Sequence, residues 1–274
     1  MKKIYTALLF LFFINGIVFG AEYKRIVSLA PSVTASLYEL GVESNIAAIT
    51  VYCPEGSTKK EIIGTLIEPD LEKIISLKPD LIIASKEGNS RHAVEKLIEL
   101  GLNIYVMETA QSFNDICANY LDLAEAIGAA NTASANIESA KNKINDISNS
   151  IHGDNIQSVF WEVGAKPLYT AGGQSFVNDY NFWTKTVNLF GDLSGRYPQA
   201  DVEVVVSRNP DIIILVNMGD ITDYEVNRWK KYKTLKAARN NKIFMIDVNS
   251  IFTPTPGTFA DGVKILAEKI YGKQ

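Results

Sequence analysis

The side chains that most often carry catalysis or bind metals are sparse in this 274-residue chain. Its two histidines are His92, expected beside Arg91 at the start of a helix, and His152, expected at the end of another helix. Both positions favour contact with solvent. A site for a free metal ion needs several histidines or carboxylates that converge. The sequence therefore predicts no resident metal and does not favour a carrier of bare zinc or manganese.

A glycine-rich stretch comes nearest to a catalytic motif. Residues 172–176 read GGQSF, which lacks the final glycine of the G-x-S-x-G turn that exposes a nucleophilic serine. A phosphate-binding G-x-x-x-x-G-K-S/T loop is missing, as is a G-x-G-x-x-G motif after the first strand. We expect Gly172 and Gly173 to shape a turn. We also expect no enzymatic activity and no cofactor, with an exported α/β hydrolase as the alternative from a different class.

One fourteen-residue segment, called the repeated phrase below, occurs twice in the sequence, 131 positions apart. Residues 70–83 read DLEKIISLKPDLII and residues 201–214 read DVEVVVSRNPDIII, with seven identical positions. Asp70 and Asp201 are predicted to cap a helix, which the following proline ends. The apolar residues after each proline are typical of a strand covered on both faces. The repeat therefore predicts the same helix-turn-strand unit in two similar lobes.

Both copies of the phrase carry a glutamate at the same place, Glu72 and Glu203. An acid in the first turn of a helix interacts favourably with the positive helix end, which is a sufficient structural reason for its presence. In two related lobes these carboxylates would also occupy equivalent surface positions. A second role, as a matched pair of surface contacts, therefore stays open.

Apolar runs and helical patterns alternate on both sides of a long helical stretch. Predicted strands lie at 26–29, 46–50, 81–84, 104–107, 158–163, 212–216 and 243–246. Predicted helices lie at 33–40, 71–77, 91–100, 175–189, 202–208, 229–238 and 259–271. This alternation predicts an α/β fold of two β/α lobes with mostly parallel central sheets.

The stretch between the lobes has helical spacing and no strand signal. We place the linking helix at 129–151, capped by Asn131 or Thr132, between an N-terminal lobe at 21–128 and a C-terminal lobe at 152–274. A single continuous helix resists bending, so we expect little movement between the lobes.

The N-terminus has the pattern of a secretory signal peptide over residues 1–20, with two early lysines, an apolar run and small residues before Ala21. No cysteine follows the cleavage site, so a lipid anchor is not expected there. The chain has a net charge of −4, which argues against nucleic acid as a partner. We predict an exported, periplasmic protein. Export permits a disulfide, and pairing of Cys53 with Cys117 stays open.

Four stretches in order resemble a known family: RIVSLAPSVTASLYELG, DLEKIISLKPDLIIA, PLYTAGGQSFVNDY and YPQADVEVVVSRNPDIII. They are similar to ABC-transporter substrate-binding proteins of the helical-backbone type, a group that includes periplasmic cobalamin-binding and ferric-siderophore-binding proteins. The resemblance covers about residues 24–271. It implies a monomer that holds its ligand noncovalently in the cleft between two lobes.

The resemblance also implies partners. One exposed glutamate in each lobe, Glu72 and Glu203 by motif, would dock onto arginines of a membrane permease. The ligand would be a metal chelate, with a corrinoid as the first expectation and a ferric siderophore or haem as alternatives. Many family members carry a Pro-Gly-Pro-Arg stretch before the last helix. Residues 253–258 read TPTPGT here, without the arginine, which weakens the case for an anionic ligand group there.

Ligands of open parallel sheets bind beyond the carboxyl ends of the strands. Aromatic side chains in such loops suit a large planar ligand, because they offer area at a small cost in side-chain entropy. The core of a lobe is the alternative position for Trp161, which ends a strand. The predicted ligand-binding residues are Ser32, Tyr52, Trp161, Tyr169, Phe176 and Phe252.

Overall fold

The computed structural model of the protein describes residues 23–152, 155–217 and 223–272. The predicted signal peptide at 1–20 lies outside these residues. The strands are β1 (Ile26–Ser28), β2 (Ile46–Ile49), β3 (Glu61–Ile62), β4 (Leu81–Ser85), β5 (Ile104–Met107), β6 (Gln157–Glu162), β7 (Gly164–Ala165), β8 (Leu168–Tyr169), β9 (Thr186–Asn188), β10 (Ile212–Asn217) and β11 (Ile243–Asp247). The helices are α1 (Pro31–Glu39), α2 (Leu71–Ser76), α3 (Arg91–Glu99), α4 (Phe113–Ala126), α5 (Ala130–Ser150), α6 (Val177–Trp183), α7 (Val202–Arg208), α8 (Asp223–Lys230), α9 (Lys236–Arg239) and α10 (Pro256–Tyr271).

Each lobe is built on a parallel sheet with helices packed against it. The N-terminal sheet has the strand order β3-β2-β1-β4-β5, and the C-terminal sheet has the order β11-β10-β6-β9. Every strand pair in both sheets is parallel, while β7 and β8 form a small antiparallel hairpin. The predicted fold class, two β/α lobes with mostly parallel sheets and a long helix between them, is confirmed.

The repeated phrase forms the same unit in both lobes. Its strands, β4 and β10, are interior strands of their sheets and are almost wholly buried. The aspartate after each proline fastens the start of the neighbouring strand: Asp80 accepts the backbone N–H of Arg25 at 3.0 Å, and Asp211 accepts that of Ser158 at 2.9 Å. Each helix leads into a residue with positive φ before the proline, Lys78 at 48° and Asn209 at 50°.

The helix caps follow the sequence expectations only in part. Asp70 caps α2 through a bond from the backbone N–H of Lys73 at 2.9 Å. Asp201 occupies the equivalent position before α7, but its side chain makes no capping bond. The caps predicted for the linking helix are also wrong. That helix, α5, begins at Ala130, and Ala129 precedes it with no side-chain bond, because the turn from α4 already sets its start.

Two predicted helices of the C-terminal lobe differ from the structure. The helix expected over 175–189 ends at Trp183, and a short edge strand, β9, follows and pairs with β6. The side chain of Asn181 accepts from Trp161 and donates to the Thr186 hydroxyl, which fixes the change of direction. The helix expected over 229–238 is two short helices, α8 and α9, with a turn between them.

Two further helices pack beside the linking helix. Helices α4 and α10 both pack against the linking helix α5. Phe113 of α4 stacks on Phe259 of α10 with ring centroids 4.7 Å apart, and Phe259 stacks in turn on Tyr180 of α6 at 4.1 Å. Asp179 accepts the backbone N–H of Phe113 at 2.6 Å. Helix α4 of the N-terminal lobe therefore shares one apolar core with α5, α6 and α10, while the N-terminal sheet packs in clusters of its own. This shared core stiffens the connection between the lobes beyond what a single helix provides.

Candidate functional site

A cavity of about 520 Å³ lies between the two lobes. The N-terminal lobe contributes loops that follow β1, β2 and β4, so the carboxyl ends of its strands face the cavity, as parallel sheets require. The volume is within the usual range for small-molecule sites. The lining residues are Ala30, Pro31, Ser32, Tyr52, Leu66, Ser85, Glu87, Gly88, Phe176, Tyr197, Val248, Asn249, Phe252, Thr253 and Pro254.

One asparagine holds the N-terminal wall of the cavity together. The Asn89 side chain accepts from the backbone N–H of Ser85 at 2.8 Å. Its amide nitrogen donates to the backbone oxygens of Leu29 at 2.8 Å and Leu66 at 3.0 Å. These bonds fasten the β4–α3 turn to two neighbouring loops. The wall is therefore positioned by the protein itself before any ligand binds.

On the C-terminal wall, a neighbouring loop packs directly against the backbone of two glycines. The backbone N–H of Gly172 donates to the backbone oxygen of Arg196 at 2.8 Å, and that of Gly173 donates to the backbone oxygen of Leu193 at 2.8 Å. A Cβ atom at Gly173 would lie 2.6 Å from the backbone oxygen of Gly191. Glycine is needed here because the loop passes against the bare backbone. This contact places Tyr197 at the cavity.

Four aromatic side chains line the cavity. Phe252 is 5.8 Å from the ring of Phe176 and 5.8 Å from the ring of Tyr197, between centroids. Tyr52 comes from the opposite lobe and is 63% exposed. Its ring is therefore free to cover a ligand, whereas Phe176 is 2% exposed and forms part of the cavity floor.

The structure brings together four of the six predicted ligand-binding residues: Ser32, Tyr52, Phe176 and Phe252. Trp161 does not reach the cavity. It lies in the core of the C-terminal lobe, 1% exposed, and its indole N–H donates to Asn181 at 2.9 Å. Tyr169 is partly exposed on the β7–β8 hairpin and does not line the cavity.

Five polar lining residues were not among those predicted: Ser85, Glu87, Tyr197, Asn249 and Thr253. Glu87 lies in the loop after the third predicted strand, and residues 85–90 contain no aromatic ring to mark that loop as part of the site. Tyr197 lies in a loop that no strand pattern precedes. Its approach to the cavity depends on the contact with Gly172 and Gly173.

The charged groups at the cavity form one pair across the cleft. Glu87 of the N-terminal lobe and Arg196 of the C-terminal lobe are 2.7 Å apart, and their side chains are 31% and 30% exposed. Burial raises the pKa of Glu87, and this is opposed by the charge of Arg196 and a hydrogen bond from Tyr197. Burial also raises the pKa of Tyr197. Both effects reflect a site partly shielded from water.

Several other predictions concern residues outside this cavity. His92 and His152 are exposed, and no group of three or more metal-ligating side chains occurs in the described part of the chain. Cys53 and Cys117 are buried free thiols, so they do not pair. Burial raises the pKa of Cys117 to about 11, so this thiol is protonated at neutral pH.

The two glutamates of the repeat occupy matching surface positions. Glu72 and Glu203 are each the second residue of their helix, α2 and α7, and both are exposed. They lie in the helix-turn-strand unit that the two lobes share. Their surface equivalence therefore follows from the repeat.

A cavity formed by the strand ends of two similar lobes, with helices as the backbone between them, defines a solute-binding protein. A family model described as periplasmic binding protein matches residues 26–249. The chain belongs to this family. This membership confirms the resemblance found in the sequence.

Individual relatives agree with the family assignment. The uncharacterised ABC transporter substrate-binding lipoprotein YvrC of Bacillus subtilis (strain 168) is 31% identical over 258 residues, which cover 91% of this chain and 81% of that protein. The vitamin B12-binding protein of Vibrio vulnificus (strain CMCP6) is 28% identical over 267 residues, which cover 94% and 93%. The crystal structure of the periplasmic vitamin B12-binding protein BtuF of Vibrio cholerae aligns with a TM-score of 0.76 at 25% identity, covering 92% of this chain and 99% of that chain. The predicted function class, a substrate-binding protein of ABC import, is confirmed.

None of the helices in the described ranges is long and apolar enough to cross a membrane.

Proposed function

We propose that this protein captures a corrinoid, cobalamin in the first place, in the cavity between its lobes and delivers it to an ABC permease in the inner membrane. The observation that carries the proposal is the cavity of about 520 Å³ with four aromatic rings. Similarity to vitamin B12-binding proteins along nearly the whole chain supports the choice of ligand. The protein acts as an exported periplasmic monomer, after removal of residues 1–20, and catalyses no reaction.

The lining suits a macrocycle with polar groups at its edge. The faces of Tyr52 and Phe252 offer apolar area to a planar ring system. Ser32, Ser85 and Asn249 provide hydroxyl and amide groups for the side chains of a corrinoid. Binding is noncovalent, since aromatic surface and a few convergent polar groups are the usual means of holding such a ligand.

Titration with cyanocobalamin, followed by calorimetry, tests ligand capture. The visible spectrum of the protein purified from its own periplasm provides the independent check, because corrinoids, haem and ferric catecholates absorb in different bands. A spectrum of haem or of a ferric chelate, with no heat of binding for cyanocobalamin, would replace the corrinoid by one of these ligands.

Replacing Tyr52 by alanine tests the cavity itself. Loss of one aromatic contact is worth about 0.5–1.5 kcal/mol, so we expect affinity for cyanocobalamin to fall about two- to tenfold. Tyr169→Ala is the matched control, because Tyr169 is partly exposed but does not line the cavity. Equal losses in the two variants would remove Tyr52 from the site.

Delivery to the permease rests on Glu72 and Glu203, since a carboxylate binds an arginine in a directed, often bidentate manner and two such points fix orientation. We expect the double variant Glu72→Arg, Glu203→Arg to keep its ligand affinity and lose uptake in cells that depend on the protein. The control reverses two other exposed charges, Glu99→Arg with Glu138→Arg. Normal uptake in the first double variant would refute the docking role.

A further inference from the structure

The part of the chain that the structure describes places one charged side chain in the lining of the cavity. Among the described residues that line it, Glu87 alone carries a carboxylate, ammonium, guanidinium or imidazole group. This carboxylate lines the cavity, and its charge is paired. It forms the 2.7 Å ion pair with Arg196, which reaches it from the other lobe.

Both members of the pair are held in place by their own lobes. The backbone N–H of Glu87 donates to the Ser85 hydroxyl at 3.2 Å. The backbone oxygen of Arg196 accepts from Gly172 at 2.8 Å, and its guanidinium lies 5.9 Å from the centre of the Tyr197 ring. The pair is thus formed by the protein alone, and its charges are already compensated before a ligand arrives.

We propose that Glu87 determines the class of chelate that this protein accepts, by occupying the guanidinium of Arg196 beside the cavity. This inference rests on the proposed function and specifies its ligand. With Arg196 engaged, an anionic group entering the cavity meets no unpaired cation among the described residues that line it, and it lies beside the carboxylate of Glu87. Desolvating an unpaired anion is costly, and the like charge adds to that cost. The protein therefore selects chelates without net negative charge and rejects strongly anionic ones.

The same geometry predicts how selectivity changes when the pair is broken. Glu87→Gln removes the competing carboxylate and leaves Arg196 in place beside the cavity. A charged hydrogen bond is worth about 1.5–3 kcal/mol, so we expect affinity for an anionic chelate to rise at least tenfold. Arg196→Gln, and the double variant Glu87→Gln with Arg196→Gln, have no guanidinium to offer and should not show this gain.

The experiment titrates the full mature protein and these three variants with two neutral chelates, cyanocobalamin and a ferric trihydroxamate, and two anionic ones, haemin and a ferric tricatecholate. We expect the unaltered protein to bind a neutral chelate more tightly than either anionic one. We also expect only Glu87→Gln to gain affinity for the anionic pair, with little change for the neutral ligands. Tighter binding of an anionic chelate by the unaltered protein would overturn the inference, as would Glu87→Gln without such a gain.

Failure of the proposed function has a different signature. If the unaltered protein binds none of the four chelates, the proposed function fails, and the ligand class fails with it. If it binds a neutral chelate but the variants do not differ in their selectivity, only the role of Glu87 fails. A double-mutant cycle on the unfolding free energy, without ligand, is a further check. The absence of any coupling between Glu87 and Arg196 would show that the pair does not form, which also overturns the inference.

Discussion

Replacing Glu162 by glutamine should remove a large part of the pH dependence of this protein's stability. Glu162 ends β6 and is fully buried. The indole N–H of Trp229 donates to its carboxylate, and Arg228 lies 3.3 Å away. Arg228 is also 2.9 Å from Glu225, whose side chain is 4% exposed. Two buried carboxylates thus share one guanidinium, so the charges balance only when one carboxyl group is protonated.

The structure sets the sign and size of the effect. Burial is the main cause that raises the pKa of Glu162 from 4.5 to about 7, and Glu225 raises it further, while Trp229 and Arg228 oppose the change. The folded state therefore keeps a proton that the unfolded state releases near pH 4.5. Its contribution to stability is full below the unfolded pKa and is lost as the pH rises through the folded pKa. At about 1.4 kcal/mol for each pKa unit, the loss between pH 4.5 and 7 is about 3 kcal/mol.

The assay is urea unfolding of the unaltered protein and Glu162→Gln at several pH values from 5 to 8. Glutamine resembles the protonated acid and keeps an acceptor for Trp229, so the variant should lack the loss. Subtracting one free energy of unfolding from the other cancels the pH-dependent contributions of other groups with shifted pKa values, such as Asp211. Glu138→Gln, at an exposed position, is the control. A difference that is constant with pH, or that grows in the opposite direction, would refute the shared-proton account of this cluster.

Two further predictions concern contacts that hold the lobes together. Gly257→Ala places a Cβ 2.9 Å from a carboxylate oxygen of Glu39. The same oxygen accepts the backbone N–H of Gly257 at 3.1 Å, so the carboxylate has to move and this bond is lost. Loss of a charged hydrogen bond costs about 1.5–3 kcal/mol, which outweighs a gain in helix propensity of about 1 kcal/mol. We expect a lower free energy of unfolding by urea, and no loss when Glu39→Ala removes the obstructing carboxylate first. Phe259→Ala should cost about 3–5 kcal/mol in thermal unfolding, because its fully buried ring stacks on residues from both lobes. Phe182→Ala, with the ring 69% exposed, should change stability by less than about 0.5 kcal/mol, and equal effects in these two variants would contradict the shared core.

The sequence predicted best those elements whose packing requires one characteristic pattern of residue types. A helix ended by proline and followed by a fully buried strand leaves a distinct signature, and its duplication revealed both lobes. By contrast, β9 has only three residues, Thr186–Asn188, and adjoins a helix, so no run of alternating residues announces it. Its position depends on pairing with β6, which is a contact between distant parts of the chain, and on the bond from Asn181 to Thr186.

The sequence predicted where the site lies, but it did not predict all of the residues that line it. Knowing that strand ends face the cleft was enough to select Ser32, Tyr52 and Phe252. The same rule also selected Trp161, because an aromatic residue at a strand end has the same sequence signature whether it points to the cleft or to the core. Glu87 shows the opposite problem, since its importance comes from a partner 109 positions away in the other lobe.

The arrangement of contacts between the lobes supports the expectation that they move little when a ligand binds. Helix α1 begins at the cavity and ends at Glu39, which binds the start of α10, and α10 begins two residues after Pro254 of the cavity wall. The Phe113–Phe259 stack continues this connection into the core, and Glu87 with Arg196 bridges the lobes beside the cavity. Opening the cleft widely would break contacts of all these kinds together. The cavity is therefore largely formed before the ligand arrives, and less binding energy is spent on ordering the site.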